Sequence, residues 1–468
     1  MVRDPGQLAR LAVARVAVIW LVAAALLLQT LAVPSAWAQQ RQISFIRDAE
    51  IEHILRRYAT PIFEAAGIAP AAVQIVLVNE DSLNAFVAGG QNIFFHTGLL
   101  LESVDPEQII GVMAHEAGHI AGGHLARSRD AIADAQMLAT ITTLIGLAAA
   151  IGAGRGDVGS GIMGGGQEAA RRTFFAFSRQ QEGSADEFAM TMLERVGWSS
   201  HGLLSFMQKL AGQEMLPESR QVEYVRTHPL TRDRIEVIRN FVERESRFTK
   251  ARLPDEFYEM HARMKAKLLG FIRPELALRR YPREETAVAA RYGRAIALYR
   301  KGDIREALTI MDGLLKEEPK NAYFHELKGQ ILFENGRANE AVPPYREAVR
   351  LRPDSGLMRA SLGHALLEVG DDRLLKEAIQ TLTEAARLER RSAFTWRLLA
   401  SAYSRANMEP QLAYARAEEA LARGDIRAAK FHADRAEQIL PAGSPEWIRA
   451  QDIRVMVEGR VQDIRARR

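Results

Sequence analysis

The sequence predicts an α+β chain that is mainly α: a domain with a small sheet beside one long helix, followed by an α-α superhelix of paired helices. Three observations carry this expectation. Two short β-patterned runs, Val73–Val78 and Asn92–Thr97, precede a helix opened by Asp105-Pro106. That helix contains His115-Glu116-Ala117-Gly118-His119, a spacing that puts two imidazoles on one face. From about residue 283 onward, glycines and alanines recur every 34 positions. At 468 residues the chain is too long for one core. The expected division is 1–38, 39–272 and 283–460.

Taking the chain in order, Arg3, Arg10 and Arg15 precede an uncharged run from Val16 to Val33. Pro34-Ser35 and then Ala36-Trp37-Ala38, an A-x-A cleavage pattern, follow. This is the three-part layout of a secretory signal peptide over 1–38. It is preferred to an uncleaved anchor, although the apolar run could just span a bilayer. The mature chain is expected to begin near Gln39 and to work outside the cytoplasm. It would hold 59 basic and 57 acidic residues, a near-balance that offers no basis for nucleic-acid binding. With no cysteine, a disulfide framework, a thiolate metal site and a lipoprotein-type anchor are excluded.

Apolar spacing from Ile43 to Ala66 is helical, with a break expected at Pro61 and an end at Gly67. Asn84–Gly90 reads as a turn. Asn92–Thr97 is the candidate edge strand on which an extended substrate would lie, held by backbone hydrogen bonds. Asp105 at the N-cap, Pro106 at the first position and Gln108 open the next helix. Two imidazoles at this spacing supply half of a tetrahedral zinc site. Glu116, next to the first of them, can take a proton from water at the open position. Ala135–Gly154 carries no charge and is long enough to cross a membrane. Its Ala, Gly and Thr content favours a buried or membrane-apposed helical hairpin over the active site, with a glycine-rich mobile lid after it.

A zinc site needs a third protein ligand. His124 follows the motif closely, but on a continuing helix it would point away from His115, as an exposed residue or one behind a ligand. Glu182 is the stronger candidate. In Glu182-x-x-x-Asp186 both carboxylates share a helical face, so Glu182 reads as an oxygen ligand and Asp186 as the acceptor orienting a ligating imidazole. His228 and Arg234 straddle a helix start at Pro229. His228 either stabilises an oxyanion or fills zinc's fourth position and holds the site latent.

Asn84-Ala-Phe with Gly89-Gly90, His115-Glu-x-x-His119, Glu182-x-x-x-Asp186 and His228-Pro-x-x-x-x-Arg234 occur in one order. In this the chain resembles the HtpX and CAAX-prenyl-protease family of zinc metallopeptidases. With its leader and repeat tail it looks like the BepA-type periplasmic members, over nearly the full length. The resemblance implies a zincin-like domain with one zinc ion, His115, His119 and Glu182 as ligands, Glu116 as general base and Asp186 behind the ligands. It also implies a catalytic-site role for His228 as a switch on the zinc or a transition-state donor, with Arg234 nearby. HtpX-like members are integral membrane proteins, and in this chain only Ala135–Gly154 has the character for that.

In the C-terminal half Gly302, Gly336 and Gly370 are 34 apart, Ala307 and Ala341 fall five after their glycines, and Pro319 and Pro353 seventeen after. This is the tetratricopeptide pattern. A three-residue insertion, Asp372–Leu374, shifts Ala378, and Asn407 takes the next glycine position, a residue that tolerates a left-handed turn. The concave side of such a superhelix usually binds protein. The expected function is a periplasmic zinc endopeptidase. By resemblance its substrates are misfolded or stalled outer-membrane proteins, and its partner the outer-membrane assembly machinery. Peripheral membrane contact would run through Ala135–Gly154. The rival is a chaperone or assembly factor with a latent zinc site, whose repeats carry the function.

Overall fold

The computed structural model describes residues 44–88, 90–124, 179–217 and 220–466. The expected leader, 1–38, and the uncharged stretch Ala135–Gly154 lie outside them. Among the described residues no helix is long and apolar enough to cross a membrane.

The sheet has four strands: β1 (Phe45–Ile46), β2 (Gln74–Val78), β3 (Ala85–Ala88) and β4 (Asn92–His96), in the order β1-β2-β4-β3. β2 and β4 run parallel, and both outer pairs are antiparallel. Two expectations are corrected here. The stretch read as a turn contains β3, and β4, taken as the edge, is internal. Alternation reports which face of a strand is buried, not how many neighbours the strand has. Ala85, Leu77, Ile93 and Phe95 point into the core.

Helix α1 (Ala49–Ala65) is capped by the Asp48 carboxylate, which accepts from the amides of Glu50 and Ile51. It runs through Pro61 without ending. The proline removes one backbone donor, but Tyr58, Ala59, Ile62 and Phe63 are fully buried around it, and this packing outweighs the local defect. After the short α2 (Thr97–Glu102), helix α3 (Pro106–Ala121) starts as expected, with Asp105 accepting from the Gln108 amide at 3.0 Å and Pro106 in the first turn. Helices α4 (179–195), α5 (His201–Lys209), α6 (Glu223–Thr227) and α7 (Arg232–Asn240) complete the layer around α3.

Helices α8 (Asp255–Ile272) and α9 (Pro274–Arg280) lead into ten further helices. They are α10 (Val288–Arg300), α11 (Ile304–Glu317), α12 (Ala322–Glu334), α13 (Ala338–Leu351) and α14 (Gly356–Val369). Then come α15 (Leu375–Leu388), α16 (Ala393–Arg405), α17 (Glu409–Ala422), α18 (Ile426–Ile439) and α19 (Pro445–Ala466). Gly302, Gly336 and Gly370 have positive φ at the turns within pairs, Asn407, with φ 54°, does the same work, and Gly424, also of positive φ, turns the chain from α17 into α18. Ala307, Ala341, Ala378 and Ala429 are fully buried, since only a methyl fits between the crossing helices. The insertion Asp372–Leu374 forms a single 3-10 turn in the connection between α14 and α15, so it lengthens the turn and not the helices.

Candidate metal centre and its surroundings

The centre is assembled on three helices and one loop. α3 contributes His115, Glu116 and His119, α4 contributes Glu182 and Asp186, and His228 and Arg234 flank the start of α7. α4 reaches α3 because residue 118 is glycine: a Cβ there would lie 2.9 Å from the Ala185 Cα and 3.0 Å from its carbonyl oxygen. His115 and Glu116 are fully buried, and Glu182, Asp186, His228 and Arg234 nearly so.

His115 Nε2 and His119 Nε2 are 3.1 Å apart. Glu182 Oε2 is 3.3 Å from His115 Nε2, and its Oε1 is 3.4 Å from His119 Nε2. His228 Nδ1 lies 3.3 Å from both Glu182 oxygens. One ligand atom from each of these four residues falls within 4.8 Å of all the others, the group of donors able to hold a metal among the described residues. Ligands about 2.0–2.1 Å from a common tetrahedral centre are about 3.3–3.4 Å from one another, so the His115, His119 and Glu182 spacings fit one ion.

The supporting contacts fix each donor. Asp186 Oδ1 accepts from His115 Nδ1 at 2.8 Å, which turns Nε2 toward the cluster. Arg234 grips the same carboxylate in a fork, Nε to Oδ2 at 2.7 Å and Nη2 to Oδ1 at 2.9 Å. Its Nη1 reaches Glu182 Oε2 at 3.1 Å and the Pro229 carbonyl at 2.8 Å. His228 Nε2 lies 3.1 Å from the Ala85 carbonyl; since a carbonyl only accepts, this nitrogen carries a proton and Nδ1 faces Glu182. The Tyr224 ring stacks on His228 at 4.6 Å, one turn earlier in the chain.

Electrostatics follow from burial and charge. Burial by itself lowers the pKa of His115, but its contacts with Asp186 and Glu182 outweigh this and raise it to about 10. His228 is raised in the same way, burial being overcome by Glu182 and Glu116. Burial works against an ionised Glu182, yet His228 and His115 hold its pKa well below the usual carboxylate range. Asp186 is lowered because Arg234 outweighs its burial. His119 goes the other way: burial, with the charge of His115 beside it, holds its pKa well below the usual histidine range, so this imidazole stays neutral, as a metal ligand must. Glu116 behaves differently. Burial raises its pKa, neither oxygen has a hydrogen-bond partner among the described residues, and His228 Nε2 is 3.5 Å from Oε1. A buried carboxylate with no side-chain hydrogen bond and only a histidine at 3.5 Å beside it is costly and marks a group kept for chemistry rather than stability.

His124 is nearly buried, with Nδ1 2.9 Å from His119 Nδ1. The helix does not continue to it. α3 ends at Ala121, and Gly123, with φ 60°, folds the chain back. The Gly122-Gly123 pair was the available signal. The His124 ring packs directly over Gly122: a Cβ there would lie 2.3 Å from His124 Nε2 and would push the ring aside. Tyr224 escaped sequence reasoning, although its four-residue spacing from His228 was legible. The free edge beside the site is β3. His96 N–H donates to the Asn84 carbonyl, so alternation turns the Ala85 and Val87 backbone groups away from β4 toward the site, where the Ala85 carbonyl accepts from His228 Nε2.

A pattern described as peptidase family M48 matches residues 46–242, and one described as tetratricopeptide repeat matches 277–356. The chain is similar to the beta-barrel assembly-enhancing protease of Escherichia coli K12, 29% identical over 350 residues, covering 73% of this chain and 69% of the relative. The protein of the same name from Yersinia pestis is 27% identical, covering 75% and 71%. Metalloprotease LoiP of E. coli is 30% identical over 159 residues, covering 34% and 58%. The M48 match spans the sheet, α3 and the helices that carry Glu182 and Arg234, and that family implies a metal. With a peptidase family M48 domain followed by tetratricopeptide repeats, the chain is a metalloendopeptidase.

Proposed function

We propose that the chain is a zinc-dependent endopeptidase of the periplasm, with a leader over 1–38, a protease domain over 39–272 and a repeat domain over 283–460. One observation carries the zinc reading: two imidazoles and a carboxylate converge at 3.1–3.4 Å beside the fully buried Glu116. In this reading His115, His119 and Glu182 hold one zinc ion, whose bound form supplies Lewis acidity to the scissile carbonyl and to a water. Glu116 takes the proton of the attacking water and returns it to the leaving amine; its burial-raised pKa suits a group that must both accept and give. Asp186 keeps His115 in the tautomer that presents Nε2, and Arg234 immobilises Asp186. His228 either donates toward the developing oxyanion or occupies the metal through Nδ1; its contacts with Glu182 and Ala85 support a role at the site in both cases. The outer side of β3 is the edge on which a substrate strand would add, pairing at Ala85 only once His228 releases that carbonyl.

The relatives named for assisting β-barrel assembly support outer-membrane proteins as clients, and the repeats support a protein partner in that assembly machinery. Glu116→Gln in the full chain should keep metal and fold while lowering proteolysis of an unfolded outer-membrane protein by at least about a hundredfold. Undiminished cleavage sinks the proposal. The alternative, a chaperone or assembly factor with a latent site, gains from His228 standing within reach of Glu182. It wins if Glu116→Gln retains the biological role while disruption of the repeats abolishes it.

A further inference from the structure

A second recognition site lies away from the metal centre, on the opposite edge of the sheet. β1 pairs with β2 only at Leu77 and Val78. The Gln74 amide donates to the Gln91 carbonyl, toward β4, so the next residue, Ile75, turns its N–H and C=O to the other side. That side opens on a groove of about 460 Å³ between β2 and the end of α15, with five arginines and two glutamates in its walls. Both glutamates, Glu52 and Glu389, are bound to Arg47, at 2.7 and 2.8 Å. Arg56 spends its donors on the carbonyls of Pro70 and Val73, at 2.7 and 2.9 Å. Arg391 reaches only the Gln74 side-chain oxygen, at 3.3 Å. Arg56, Arg390 and Arg391 make no ion pair with any described residue, and Arg390 and Arg391 are exposed.

The groove is held open by contacts across it. Arg47–Glu389 and Arg391–Gln74 tie the α15–α16 turn to the sheet, and the Arg390 carbonyl accepts from Trp396 Nε1 at 2.9 Å. The two exposed guanidinium groups, Arg390 and Arg391, attract carboxylates, which they can bind in a planar fork, while Arg56, its terminal nitrogens already on carbonyls, adds only positive charge to the wall. The free backbone of Ile75 selects an extended chain over an isolated anion, since only a strand offers matching donors and acceptors.

We propose that this groove docks an extended, acidic segment of a partner polypeptide, adding at Ile75 with Asp or Glu side chains on Arg390 and Arg391. The site is separate from the metal centre, and its occupancy does not depend on cleavage.

The test is fluorescence anisotropy with the full chain and a labelled peptide alternating Glu and Thr, against a Gln-for-Glu twin. Binding of the acidic peptide should weaken at least about tenfold at high salt and about tenfold in Arg390→Gln/Arg391→Gln. Arg279→Gln/Arg280→Gln, two exposed arginines outside the groove, should leave it unchanged at the same net charge. Thermal melting of both double variants establishes that the fold is kept. The proposal is overturned if the Gln twin binds equally well, or if both double variants lose binding alike. It is also overturned if vesicles of anionic phospholipid, rather than the peptide, bind in an Arg390- and Arg391-dependent way.

Discussion

Asp186 serves two donors at once: Oδ1 accepts from both His115 and Arg234, and Oδ2 from Arg234 alone. Lysine at 234 would keep the charge but lose the fork, so His115 would be free to turn. Arg234→Lys is expected to weaken zinc affinity about 10- to 100-fold with little change in secondary structure. Competition with a chromophoric chelator reads this directly, and unchanged affinity would place Arg234 outside the support of the site. A second residue-scale prediction lies far from the metal. His261 is nearly buried, with Nε2 2.8 Å from Ser103 Oγ, and burial lowers its pKa to about 3. The unfolded chain therefore binds a proton below about pH 6.5 that the folded chain refuses. Stability is full above that pH, falls as pH drops, and levels off only near pH 3. His261→Gln should flatten this acid limb: its urea midpoint relative to the parent should improve between pH 7 and pH 4.5. An identical pH dependence in the two proteins would count against a neutral buried His261.

Among the elements, the close crossing of α3 and α4 at Gly118 decides whether Glu182 reaches the imidazoles. Gly118→Ala would force the helices apart against backbone that cannot yield, costing about 1–3 kcal/mol in urea unfolding and lowering metal occupancy as well. A variant of full stability and full metal content would refute the requirement. The element scale also marks where legibility stopped. Caps and turns were readable because they are local: Asp105 meets an amide three residues away, and Asn407 needs only its own φ. The path of α1 through Pro61, the extension of β3 through the supposed turn and the return of His124 depend on what packs against those segments. Neighbours distant in sequence leave no trace in a local pattern.

For the molecule as a whole, a buried charge cluster joins the M48 domain to the first repeats. Glu50, fully buried on α1, receives Arg263 Nε at 3.1 Å and the Tyr292 hydroxyl at 2.8 Å, with Lys267 Nζ at 3.4 Å. Lys267 is itself almost wholly buried, 2.8 Å from Asp48. Removing Glu50 takes the acceptor from Arg263 and the Tyr292 hydroxyl and leaves Lys267 on Asp48 alone, so Glu50→Ala should cost about 3–5 kcal/mol. Calorimetry should then separate the unfolding of the repeats from that of the sheet domain. A single unshifted transition would mean that the cluster does not couple them.

By itself the sequence determined the things that chemistry and period dictate: the imidazole pair with its glutamate on one helix, the carboxylate pair on another, and the 34-residue repeat with asparagine replacing one glycine. Those signals arise from helical geometry within a few turns, or from a period repeated until chance is excluded. Only the tertiary structure decided which strand is the free edge, that Gly118 brings α4 against α3, and that Arg234 holds Asp186. It also set His228 between Ala85 and Glu182, and opened an arginine-lined groove beside Ile75. Each of these is a distance between segments tens to hundreds of residues apart, and such distances are fixed by packing rather than by any local run of residues.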